Sequence, residues 1–180
     1  MDWLNRYSDR KNENIRMEKI LIVSDTHRRN ENYFAIMEQC GPFDRVIHCG
    51  DVEGSEYAIS EAAGCPVEMV IGNNDFFSEL PREKEFEIGK YKVWLTHGHN
   101  YYVYMDNQTI KEEARIKGVD IVMYGHTHKP VIEYDNGVIA INPGSLTYPR
   151  QEGRKPSYII MEIDENGEAH FTIHYFEKNI

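Results

Sequence analysis

Seven side chains in this 180-residue sequence are of types that hold metal ions: Asp25, His27, Asp51, Asn73, His97, His126 and His128. They comprise four imidazoles, two carboxylates and one amide. One ion needs fewer ligands than this, so the set suits two ions that share a carboxylate. Nitrogen and oxygen donors of this kind favour Mn, Fe, Co, Ni or Zn over Ca or Mg, and none of the seven is a cysteine that could offer a thiolate. Two ions about 3.5–4 Å apart can hold a bridging hydroxide and clamp both oxygens of an in-line phosphoryl displacement. The chemistry implied is hydrolysis.

Each of the seven follows a short apolar run. Residues 19–23 precede Asp25 and His27, 45–49 precede Asp51, and 67–71 precede Asn73. Residues 92–95 lead to His97, and 121–124 to His126 and His128. Continuous apolar runs rich in β-branched residues read as strands buried on both faces. In open α/β sheets ligands collect beyond the carboxyl ends of such strands. The i, i+2 spacing of Asp25/His27 and of His126/His128 turns both members of each pair the same way in extended chain.

Helices are predicted at 30–40, stopped by Gly41-Pro42, at 54–63, closed by Gly64, and at 106–117, closed by Gly118. Strand–helix–strand–helix–strand order in the first half calls for parallel pairing with right-handed crossovers. The second half instead carries hairpin signals at Gly89-Lys90-Tyr91, Asp135-Asn136-Gly137 and Glu165-Asn166-Gly167. A parallel half followed by an antiparallel half predicts two sheets packed face to face with helices outside. Residues 17–180 read as one domain, and 1–16 as an N-terminal extension of different character.

Composition narrows the partners. Twenty Lys+Arg against 30 Asp+Glu give a net charge of −10, which disfavours a long nucleic acid or an anionic membrane. A hydrophobic fraction of 41% is too high for a disordered chain, and no apolar run approaches the roughly 20 residues that span a bilayer. The three cysteines, Cys40, Cys49 and Cys65, lack CxxC spacing and read as reduced thiols. With no apolar signal region at the N-terminus, the expected location is the cytoplasm.

The motifs Ser24-Asp25-Thr26-His27, Gly50-Asp51, Gly72-Asn73-Asn74-Asp75, Thr96-His97-Gly98-His99 and Gly125-His126-Thr127-His128 stand in one order. Together they resemble the calcineurin-like metallophosphoesterases, closest to the small bacterial and archaeal phosphodiesterases of the YfcE type. The resemblance implies a four-layer α/β/β/α sandwich of two mixed sheets. It implies that Asp25, His27 and His128 hold one divalent transition ion and that Asn73, His97 and His126 hold a second, with Asp51 bridging. Manganese is the first expectation, with Fe, Ni, Co or Zn as alternatives. It also marks Asn142-Pro143-Gly144-Ser145 as a loop shaping the rim, and it suggests a homo-oligomer, a dimer or tetramer.

Two departures from the family pattern bear on substrate. Asn74 stands where many relatives carry a His, and an amide cannot protonate a leaving group. Alkyl phosphomonoesters should suffer most, so a small phosphodiester or an activated aryl ester is the expected substrate. Arg28 stands where Gly is usual, and with Arg29 it could offer guanidinium groups to phosphate. Asn74, His99 and Arg28 are therefore the candidate catalytic residues. Tyr101, Tyr102 and Tyr104 are open to a pocket role or to core and oligomer contacts. His48 is expected in the core, Cys49 as a packed thiol, and His170 and His174 on a solvated face. The competing functions are a non-catalytic scaffold like the retromer subunit of this fold, and a phosphomonoesterase or nucleotide pyrophosphatase using the same site.

Overall fold

A computed structural model of the protein describes residues 17–177. The extension expected at 1–16 lies outside them. Ten strands and three helices follow in the order β1 (Glu18–Val23), α1 (Glu31–Cys40), β2 (Arg45–His48), α2 (Glu56–Ala63), β3 (Val67–Met69), β4 (Glu83–Ile88) and β5 (Tyr91–Thr96). A short 3-10 turn (His99–Tyr101) leads to α3 (Gln108–Lys117), β6 (Ile121–Met123), β7 (Pro130–Asp135), β8 (Val138–Pro143), β9 (Ser157–Ile163) and β10 (Ala169–Tyr175).

The strands form two five-stranded sheets, ordered β10-β9-β1-β2-β3 and β4-β5-β6-β8-β7. Side-chain alternation along the strands builds the layers. On β1, Ile20 and Ile22 join Val93, Leu95, Ile121 and Ile141 in a core shared by both sheets. Leu21 and Val23 turn the other way, onto Tyr33 and Ile36 of α1 and Ile59 of α2. On the second sheet, Trp94 and Val122 face Ile110 and Ala114 of α3. Three apolar clusters thus fill the three interfaces of an α/β/β/α sandwich. Glycines close two helices as expected, with left-handed Gly64 after α2 and Gly118 after α3.

The division into a parallel and an antiparallel half does not hold. β5, β6 and β8 are parallel, so the second sheet has a parallel centre with antiparallel edges. The last hairpin returns to the first sheet, where β9 pairs antiparallel with β1 and Leu21 lies opposite Ile160. The Ile20–Val23 part of β1 is apolar and fully buried and needs a strand on each side, and β2 supplies only one of them. No helix of the described residues is long and apolar enough to cross a membrane.

Candidate metal centre

The seven predicted ligands come from loops beyond the carboxyl ends of β1, β2, β3, β5 and β6, so both sheets feed one cleft. Their backbone is not extended. Asp25, His27, Asp51, His126 and His128 all have left-handed φ values, between 46° and 69°. Such values are uncommon for non-glycine residues and cost on the order of 1 kcal/mol or more each. The expected convergence of i, i+2 pairs along extended chain is therefore corrected: each strand stops short, and kinked backbone aims the side chains. Arg28 and Glu53 share the left-handed conformation, at φ 63° and 51°. Strain is concentrated at this site.

Asp25 lies at the bottom, fully buried. Its Oδ2 accepts from Ser24 Oγ at 2.6 Å and from the His126 N–H at 3.1 Å. Its Oδ1 is buried without a hydrogen-bond partner. Around that oxygen stand Nε2 of His128 at 3.0 Å, of His27 at 3.8 Å and of His97 at 4.0 Å. His128 Nδ1 is 2.7 Å from the Tyr148 carbonyl, which can only accept. With its proton on Nδ1, the ring turns Nε2 toward a carboxylate oxygen, an arrangement that a cation between them would satisfy. One oxygen or nitrogen from each of Asp25, His27 and His128 lies within 4.8 Å of the others, and the same is true of Asp25, Asp51 and His97. Asn73 Oδ1 completes the other side, 3.1 Å from His97 Nε2 and 2.8 Å from His126 Nδ1. The donors fit divalent ions.

The charges are arranged to match. Burial pushes Asp25 and Asp51 toward neutrality, yet nearby imidazoles and hydrogen-bond donors outweigh it and hold both carboxylates below their usual range. Burial also opposes a charged His97, but Asp51 and Asp25 win and lift it to about 9. The two carboxylates favour a proton on His97 in the ion-free protein, and a metal would displace that proton. His126 is pushed down to about 4, first by burial and then by His97.

Supporting residues surround the ligands: Asp75 and the Asn142-Pro143-Gly144-Ser145 segment stand in motifs visible in the sequence, and Glu53 stands in none. Asp75 ties loops together, its Oδ2 accepting from the N–H groups of Asp51 and Gly72 and its Oδ1 from that of Glu53. Glu53 Oε1 lies 2.6 Å from His27 Nδ1. Asn142 and Ser145 are fully buried and brace the floor: Asn142 Nδ2 donates to the Gly125 carbonyl and Ser145 Oγ to the Asp25 carbonyl. That segment shapes the site from beneath. The rim expected there comes instead from exposed Tyr148, whose ring lies 5.3 Å from that of His27 and under the Arg29 guanidinium.

Of the candidate catalytic residues, Asn74 sits on Asp51, His99 beside His97 and His126, and Arg28 on the exposed rim. His99 Nδ1 is buried without a partner, and burial lowers the pKa of the ring. Arg28 Nε donates to the Glu53 carbonyl at 2.6 Å. Tyr101 packs edge-on against Trp94 and donates to Glu83, whereas Tyr102 and Tyr104 are exposed. His48 is fully buried between Thr26 Oγ1 and the Gly50 N–H, and burial pushes it down to about 4. Cys49 is a buried thiol whose carbonyl accepts from His97 Nδ1. His170 pairs with Asp164 and His174 stacks on Tyr158, both remote from the centre.

Comparison with known proteins finds relatives over most of the chain. The family model for the calcineurin-like phosphoesterase superfamily domain matches residues 18–166. A probable metallophosphoesterase of Methanocaldococcus jannaschii is 36% identical over 132 residues, covering 72% of this chain and 68% of that protein. A phosphodiesterase of the same organism is 33% identical over 145 residues, 70% of this chain and 82% of that one. Among solved structures, Vps29 of Entamoeba histolytica complexed with Zn2+ has a TM-score of 0.70 at 24% identity, covering 88% of this chain and 99% of that one. That likeness is one of fold.

Proposed function

This chain belongs to the calcineurin-like phosphoesterase superfamily as a metal-dependent phosphoric ester hydrolase, and we propose that it cleaves a small phosphodiester at a two-ion centre. The observation that carries this is the orphaned Asp25 Oδ1, buried among three imidazole Nε2 atoms and facing Asp51 across His97. In this reading Asp25, His27 and His128 hold the first ion, Asn73, His97 and His126 the second, and Asp51 bridges. When bound, the ions supply Lewis-acid polarisation of a phosphoryl oxygen and acidify water. We take manganese as the first metal to test, and a cytoplasmic homo-oligomer with no long nucleic acid or membrane partner as the working form.

The remaining steps belong to side chains. Arg28 and His99 border the cleft and would orient the phosphate oxygens by charge-assisted hydrogen bonds. Asn74 keeps Asp51 in place and can donate to an oxygen, but it has no proton to give a basic leaving group. That supports a diester over an alkyl monoester. The similarity to a 33% identical phosphodiesterase supports the same choice.

The second reading is a binding protein on the same fold. The likeness to a zinc-complexed protein named for vacuolar sorting means that metal content alone does not separate the two. Turnover does. Manganese-loaded protein should hydrolyse an aryl phosphodiester, and Asp51→Asn should lose at least about 100-fold of that rate. If the loaded parent is inactive and Asp51→Asn is indistinguishable from it, the enzyme reading is lost.

A further inference from the structure

We propose that Glu53 is a positioning residue that makes His27 a charged-partner ligand of the first ion. The inference rests on the reading of Asp25, His27 and His128 as an ion site. A carboxylate only accepts hydrogen bonds, so the 2.6 Å contact between Glu53 Oε1 and His27 Nδ1 fixes the imidazole proton on Nδ1. The Nε2 lone pair is left facing Asp51 Oδ2 at 3.7 Å, Asp25 Oδ1 at 3.8 Å and His128 Nε2 at 3.5 Å.

His97 and His128 are oriented in the same sense, but by the neutral carbonyls of Cys49 and Tyr148. His27 has an anion in that place. An anionic acceptor raises the donor strength of an imidazole, and such outer partners typically matter 10–100-fold in metal affinity. Glu53 is itself pinned for the task. Its backbone is left-handed, its N–H donates to Asp75 Oδ1 at 2.6 Å, and its carbonyl accepts from Arg28 Nε at 2.6 Å. Arg28 thus grips the carbonyl, and the Glu53 carboxylate is left to accept from His27 Nδ1.

The test compares the parent with Glu53→Ala and Glu53→Gln. In metal-free protein, long-range proton–nitrogen NMR should show His27 as the Nδ1–H tautomer, and Glu53→Ala should lose that preference. In calorimetric titration with Mn2+, Glu53→Ala should weaken one ion by about 10–100-fold and leave the other within about twofold. Glu53→Gln should keep the tautomer, because its oxygen still accepts, and lose about tenfold or less of the affinity. Thermal unfolding of the ion-free variants should match the parent. Equal weakening of both ions together with a lowered unfolding temperature would make the role merely structural and overturn the proposal. So would a Glu53→Ala titration identical to that of a metal-binding parent. A parent that binds neither Mn2+ nor Zn2+ would instead overturn the metal centre itself.

Discussion

Asn74 holds both oxygens of Asp51: its backbone N–H donates to Oδ1 at 2.9 Å and its side-chain amide donates to Oδ2 at 2.8 Å. The residue that departs from the family pattern therefore supports the carboxylate proposed to bridge two ions. Asn74→Ala removes one of the two bonds and should lower diesterase turnover about tenfold, while the fold loses only about 1 kcal/mol. Asn74→His adds a group able to protonate a leaving oxygen, a contribution typically worth about 100-fold or more. Its ratio of phosphomonoester to phosphodiester turnover should rise at least about tenfold over the parent. Paired assays with alkyl and aryl esters measure this, and an unchanged ratio would remove Asn74 as the cause of diester preference.

Gly72 has no room for a side chain, because a Cβ there would overlap the Asp51 carboxylate and crowd its backbone nitrogen. Gly72→Ala should cost at least about 100-fold in turnover and weaken metal binding. Gly64→Ala provides the contrast: nothing lies within 4 Å of that Cβ, but the backbone φ is +61°. It should lose about 1 kcal/mol of stability through strain and keep full activity. Kinetics and thermal unfolding of the pair separate displacement of a ligand from backbone strain.

The ion-free protein should be most stable near neutral pH. His48 and His126 are held near 4 in the folded state, below the ordinary 6.5, so unfolding takes up protons and stability falls as pH drops from about 6.5 toward 4. His97 is raised to about 9, so its contribution is complete below 6.5 and is lost as pH rises through 9. Unfolding temperature measured across this range in the presence of a chelator should trace both limbs. Saturating Mn2+ should flatten the alkaline limb, because binding takes the place of the His97 proton. A monotonic profile in the chelated protein would contradict the assignment.

Arg28 is exposed and anchored through Nε, which leaves its remaining N–H groups for an anion. Arg28→Ala should raise KM about tenfold with kcat changed less than about threefold, the pattern of binding shared by ground and transition states. The effect should shrink at high salt, as expected for an exposed charge. A large fall in kcat with unchanged KM would assign Arg28 to the transition state.

The ligand types, their order and their place after apolar runs were all legible in the chain, because strands and metal-binding side chains have strong local signatures. Gly64 and Gly118 announced helix ends for the same reason, and Asn136-Gly137 its hairpin. Tertiary structure decided what depends on distant partners. Which sheet receives β9 is settled by pairing with β1, more than 130 positions away, and a hairpin turn carries no information about that choice. The left-handed kinks at Asp25, His27 and Asp51 exist because the Gly50 and Asp51 carbonyls accept from the N–H groups of Asp25 and His27 across neighbouring loops. Glu53 on His27, Asp75 under Asp51 and Ser145 beneath Asp25 are likewise contacts between loops that only the folded sheets bring together. Local chemistry named the ligands; long-range hydrogen bonding gave them their aim.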